Sequence, residues 1–98
     1  MFHVDWKNVF EKIRGRKTIL ERILGDKAIK IGDCLVIYDD PIEIRIESER
    51  ISFYLNDELA AFIDERGICF LDESVKEEVE MWCKALTSPG FKKYRIKR

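Results

Sequence analysis

The sequence contains no glutamine and only two asparagines, Asn8 and Asn56. Charged residues make up 38% of the chain. Depletion of heat-labile amides together with abundant lysine, glutamate and arginine is the composition typical of hyperthermophiles. We therefore expect the source to be a thermophilic archaeon or a virus of such a host.

Long apolar segments are also missing. No apolar run exceeds five residues, as in Cys34 to Tyr38, whereas a membrane-spanning helix needs about 18. Residues 1–5 lack the basic stretch followed by an apolar one that marks a secretory signal. These absences predict a cytoplasmic protein, of the organism or of a virus-infected host cell, with no membrane partner.

The three cysteines, Cys34, Cys69 and Cys83, form no CxxC pair and have no zinc-like spacing to a histidine. Each lies within an apolar pattern, where free cysteine behaves as a small hydrophobic residue. We predict three core thiols, no metal site and no cofactor. One disulfide stays open as an alternative, because hyperthermophiles form disulfides in their cytosol.

Catalytic motifs are scarce as well. His3 is the only histidine, and no adjacent nucleophile or orienting group accompanies it. An acidic cluster could hold magnesium for hydrolysis, but it lacks the lysine of a nuclease site, and its members fit turns and a solvated strand face. The cluster comprises Asp39, Asp40, Glu43, Glu47 and Glu49. We predict no catalytic residue and no small-molecule substrate, with a metal-dependent hydrolase as the outside alternative.

The helical pattern appears at both ends of the chain. Trp6, Val9, Phe10 and Ile13 share one helical face after a capping residue, Asp5. Gly15 is placed to end this helix, and a capping box of Thr18 and Glu21 predicts a second, whose apolar face is Ile19, Leu20, Ile23 and Leu24. One helix running through Gly15 is the alternative. A third helix is predicted from Ser74, capped with Glu77, with an apolar stripe at Val75, Val79, Trp82, Cys83 and Leu86.

Between these helices the apolar period changes to two. Strand-like segments separated by short turns follow one another from residue 28 to 71, and such neighbours pair antiparallel. Cys34 to Tyr38 is apolar on both faces, which predicts a central strand. We predict an α+β fold, an antiparallel β-meander of about five strands packed against two short N-terminal helices and one C-terminal helix. Residues 1–90 form a single domain in this prediction, and residues 91–98 form a basic C-terminal tail or an edge strand.

Charge is segregated along the chain. Residues 1–38 contain eight basic and five acidic residues, residues 39–80 four and fourteen, and residues 81–98 six and none. The net charge of −1 therefore conceals an acidic middle between basic ends. Such a molecule is complementary to a second copy of itself.

We therefore predict a non-enzymatic binding or regulatory protein that acts through protein–protein contacts with itself, as a homodimer, or with another protein. The alternative is binding to DNA or RNA, because cations interleaved with aromatic rings suit phosphates and stacked bases. The predicted binding residues are the same in both cases. They are Arg14, Arg16, Lys17, Lys92, Lys93, Tyr94, Arg95, Lys97 and Arg98.

Overall fold

A computed structural model describes residues 4–88, which form a six-stranded sheet and three α-helices. The helices are α1 (Trp6–Arg14), α2 (Lys17–Leu24) and α3 (Lys76–Thr87). The strands are β1 (Ala28–Ile31), β2 (Cys34–Asp39), β3 (Ile42–Ile46), β4 (Ile51–Leu55), β5 (Glu58–Asp64) and β6 (Gly67–Phe70). Short 3₁₀ turns at Gly25–Lys27 and Glu73–Val75 join helix and sheet. The predicted α+β class and helix order are confirmed.

The sheet is a simple meander in which every strand pairs antiparallel with the next, in the order β1 to β6. It has one strand more than predicted, because the short Ala28–Ile31 segment pairs with β2. The β2 strand is second from the edge of the sheet, so its predicted central position is wrong. Leu35 and Ile37 of β2 face the helices, whereas the apolar side chains of Val36 and Tyr38 lie on the other face of the sheet.

One face of the sheet is buried beneath the helices. The register places Leu35, Ile37, Ile44, Ile46 and Phe53 on this face, and none is more than 2% exposed. The helices contribute Phe10, Ile13, Leu20, Trp82 and Leu86 to the same core. Removing this apolar surface from water is the main favourable contribution to folding.

Helix α1 begins as predicted, because the Asp5 carboxylate accepts a hydrogen bond from the backbone N–H of Asn8 at 3.2 Å. The predicted capping boxes of the other two helices are wrong. Helix α2 begins after Arg16 without a side-chain cap, and its Ile19 is exposed rather than buried. Asp72 caps the turn before α3 by accepting from the N–H and hydroxyl of Ser74. Helix α1 ends at Arg14 and α2 begins at Lys17, so the alternative of one helix running through Gly15 is excluded.

The cysteines divide into different environments. Cys83 is buried in α3, and burial raises the pKa of its thiol well above the usual range. Cys34 is half-buried, and the pKa of its thiol is raised by burial and by Glu47. Cys69 is exposed and Cys34 lies outside the core, so the core prediction is right only for Cys83, and all three thiols are free.

Within residues 4–88, no helix is long and apolar enough to span a membrane.

Two glycines provide a matched test of the backbone. Gly67 has a φ of +126°, which L side chains rarely adopt, whereas Gly15 has a φ of −73°. We expect Gly67→Ala to lower the free energy of unfolding by about 1–3 kcal/mol through backbone strain. Gly15→Ala should change it by less than about 1 kcal/mol. Urea denaturation of both variants measures the difference, and equal effects would contradict the assigned backbone at Gly67.

Candidate interaction surface

No helix of residues 4–88 lies on the second face of the sheet, and we call it the open face. It follows from the register, since side chains alternate between the two faces of a strand. Its residues are Ile29, Ile31, Cys34, Val36, Tyr38, Glu43, Arg45, Ser52, Tyr54, Leu59, Phe62, Asp64 and Cys69. This composition is rich in apolar and aromatic side chains for a surface that has no covering layer.

The β1 side of the open face is the most exposed apolar part. Ile29 is 49% exposed, Ile31 59% and Tyr38 43%. Ile29 and Ile31 alternate along the edge strand, and Tyr38 follows on β2. Contiguous apolar surface of this kind marks an interaction site more often than isolated apolar residues do.

The centre of the open face is covered by its own long side chains. The Arg45 guanidinium lies 4.5 Å from the ring centroid of Tyr54 and donates to the Glu43 carboxylate at 2.6 Å. The bond to Glu43 raises the pKa of Arg45. Arg50 stacks on the ring of Phe62 at 5.1 Å. Beneath this layer, Val36 is only 4% exposed and Ser52 only 1%.

The predicted basic residues of the N-terminal cluster, Arg14, Arg16 and Lys17, donate hydrogen bonds to three different parts of the fold. Arg14 donates to the Glu11 carboxylate at 2.5 Å and to the backbone carbonyl of Ser48 at 3.2 Å. Its guanidinium also lies 5.1 Å from the centroid of the Phe10 ring. These contacts tie the end of α1 to the β3–β4 turn.

Arg16 and Lys17 reach in other directions. Arg16 donates to the carbonyls of Leu86 at 2.5 Å and Ser88 at 3.0 Å, so it caps the C-terminal end of α3. Lys17 donates to the carbonyl of Asp33 at 2.7 Å, in the β1–β2 turn. The three cations therefore link the N-terminal helices to the β3–β4 turn, to the end of α3 and to the β1–β2 turn, respectively.

The other predicted binding residues, Lys92, Lys93, Tyr94, Arg95, Lys97 and Arg98, lie outside the described residues, as does His3. Their proposed role stays a prediction.

The acidic cluster is dispersed over the sheet and its turns. Glu43 is half-buried and paired with Arg45, whereas Asp39 faces the core on β2. Between Val4 and Ser88, no three or more histidine, cysteine, aspartate or glutamate side chains come together in a way that could hold a metal ion.

The exposed β1 side of the sheet was missed by sequence reasoning. The only indication was the apolar character of both faces of Cys34 to Tyr38, which we interpreted as burial within the sheet. In the structure one of these faces lies away from the helices, and on it Tyr38 is exposed whereas Val36 is covered.

These features define a small α+β protein whose helices in residues 4–88 form a layer on one side of the sheet. The chain belongs to the Archaeoglobi AF1636 family, whose model matches residues 1–98. It is similar to a protein of Archaeoglobus fulgidus described as an uncharacterized protein, with 32% identity over 81 residues, covering 81% of this chain and 85% of the relative. No solved structure matches the chain. The family supports the archaeal part of the predicted origin.

The contact between Arg16 and the end of α3 can be tested by substitution. We expect Arg16→Met to lower the free energy of unfolding by about 1–3 kcal/mol, because two carbonyls lose a charged donor in a partly buried site. Arg22→Met, on the exposed surface of α2, is the matched control and should change stability by less than about 0.5 kcal/mol. Thermal or urea unfolding measures both, and equal stabilities would show that the contact contributes nothing.

Proposed function

We propose that this archaeal protein is a non-enzymatic binding protein that works as a homodimer through the open face of its sheet. The observation that carries the proposal is the exposed apolar surface of Ile29, Ile31 and Tyr38 on a sheet face without helices. The composition further supports a thermophilic source. At high temperature, burying such a surface in a dimer would also stabilise the folded chain.

A second copy is the proposed occupant because the open face is complementary to itself. Its ion pair, Glu43 with Arg45, cancels within the face. The charges at its margins are of both signs, Arg50 on Phe62 against Glu47 and Asp64. The face is therefore much less acidic than residues 39–80 as a whole. Two copies can thus approach through this face without the repulsion that other acidic surfaces would cause.

The size of the face also suits a dimer. Six strands spaced about 4.8 Å apart and about five residues long give a flat footprint of roughly 500 Å². Side-chain relief makes the accessible area larger than this footprint. A standard interface buries about 800 Å² on each partner, which is the same order. Two open faces can pack as sheets do in a β-sandwich, about 10 Å apart.

The dimer can be tested with one substitution and a matched control. Ile31→Asp should convert the dimer to a monomer, because the contact would bury an unpaired carboxylate. Since Ile31 is 59% exposed, the folded chain should tolerate the change. Ile19→Asp makes the same substitution at a residue that is 50% exposed on α2, and it should leave the dimer intact.

Light scattering or sedimentation equilibrium measures the mass of each protein. A monomeric mass for the unaltered chain at all concentrations would overturn the proposal. A dimer that survives Ile31→Asp but dissociates with Ile19→Asp would place the contact on the helices instead.

Nucleic-acid binding is the second proposal, and it rests on Arg14, Arg16 and Lys17 together with the cations of residues 92–98. The intramolecular bonds of the first three make it the weaker one. If about five phosphates are neutralised, the affinity for duplex DNA should fall with salt at a logarithmic slope of about −4 to −5. Lys92→Ala combined with Lys93→Ala should reduce that slope by about 2. Absent or salt-independent retention of DNA would exclude this function.

A further inference from the structure

A groove runs between the start of the chain and helix α3, on the helical layer and away from the open face. Its volume is about 500 Å³, within the range of pockets that bind ligands. Val4, Trp6 and Val9 form one wall, and Met81 belongs to the other. Met81 is 39% exposed, so the groove presents apolar surface to whatever enters it.

The α3 wall carries charge of mainly one sign. Glu77 and Glu80 lie toward the start of the helix, whereas Lys84 lies one turn further on. Both glutamates are exposed. An occupant that fits this groove therefore combines apolar or aromatic side chains with an excess of positive charge.

Residues 91–98 have this composition. They contain five cations, no acid and the three apolar or aromatic side chains Phe91, Tyr94 and Ile96. In an extended chain, alternate side chains face the same way. Tyr94 and Ile96 can therefore face the apolar groove together.

The path of the chain also leads to the groove. Thr87 lines it, and Arg16 holds the carbonyl of Ser88, the last described residue, at the same end of α3. From Thr87 back to Glu77 the helix rises about 15 Å. Eight extended residues span about 26 Å, so residues 91–98 are long enough to follow the groove to its acidic end.

We propose that residues 91–98 bind in this groove of their own chain, running antiparallel to α3. Tyr94 and Ile96 contact the apolar walls near Trp6 and Met81, and cations near the end of the segment pair with Glu77 and Glu80. The groove is thus an interaction surface for a basic aromatic peptide, and this proposal is independent of the dimer through the open face.

Zero-length cross-linking tests the pairing directly in the full chain. A carbodiimide joins a carboxylate to an amine only where the two groups touch. We expect peptide mapping to find Glu77 or Glu80 joined to Lys92 or Lys97. A mixture of isotopically light and heavy chains should give cross-links within chains of one label.

Mixed-label cross-links as frequent as single-label ones would show that the segment binds a second copy, which overturns the proposal. Cross-links of these lysines to other carboxylates, with none to Glu77 or Glu80, would overturn it as well. The dimer is judged by mass and by Ile31→Asp, so either idea can fail without the other.

Tryptophan fluorescence gives a second measurement that does not depend on a reaction. Trp6 lines the groove, whereas Trp82 is only 1% exposed, so acrylamide quenching reports mainly on Trp6. Tyr94→Ser combined with Ile96→Ser should increase the quenching constant about two-fold by uncovering Trp6.

Lys93→Ser combined with Arg95→Ser is the matched control, because these two residues alternate with Tyr94 and Ile96 and face away from the groove in the proposed arrangement. The control should leave the quenching constant unchanged. Equal quenching of the unaltered chain and the Tyr94 and Ile96 variant would overturn the proposal.

Discussion

Three short helices cover a sheet of six strands, and the widths of the two layers constrain everything else. Six strands span about 29 Å, and helices about 10 Å wide need three side by side to match that width. The described helices number three, with nine, eight and twelve residues. They suffice for one face of the sheet and leave nothing in residues 4–88 to cover the other.

The centre and the β1 edge of the open face differ in how far their apolar side chains are covered. At its centre, Arg45 and Tyr54 lie over smaller neighbours and keep Val36 and Ser52 from water. The stacked side chains of Arg45 and Tyr54 thus shield this part of the sheet from water, as a packed helix would. At the β1 edge no long side chain plays this part, so Ile29 and Ile31 stay exposed.

The elements with a clear period were predictable from the sequence, because apolar spacing differs between helix and strand. This applies to the meander, to α1 with its Asp5 cap and to the buried stripe of α3. The face of β2 that the helices cover was not predictable, since Leu35 and Val36 are both apolar and only tertiary packing distinguishes them. The cap of α3 was misplaced because Asp72, two residues before Ser74, supplies the acceptor instead.

For the basic cluster too, the sequence did not predict which groups the side chains contact. Arg14, Arg16 and Lys17 are neighbours in sequence, which suggested one binding patch. Apart from Glu11, which Arg14 also contacts three residues away, their partners lie 34, 70 or 72, and 16 residues away in the chain. No local pattern reveals such distant acceptors. The proximity of these cations in sequence therefore conceals three separate structural contacts.

The position of α1 has a consequence for synthesis on the ribosome. This helix is made before the sheet, yet it packs against β5, β6 and α3, which are made after the rest of the sheet. Each hairpin of the meander can pair as soon as its second strand is made, whereas α1 gains its main partners only once β5, β6 and α3 have been made. The isoleucine-rich face of the growing sheet therefore depends on late closure by α1 and α3 together. Until then, a nascent chain of this protein presents apolar surface on both sides of its sheet.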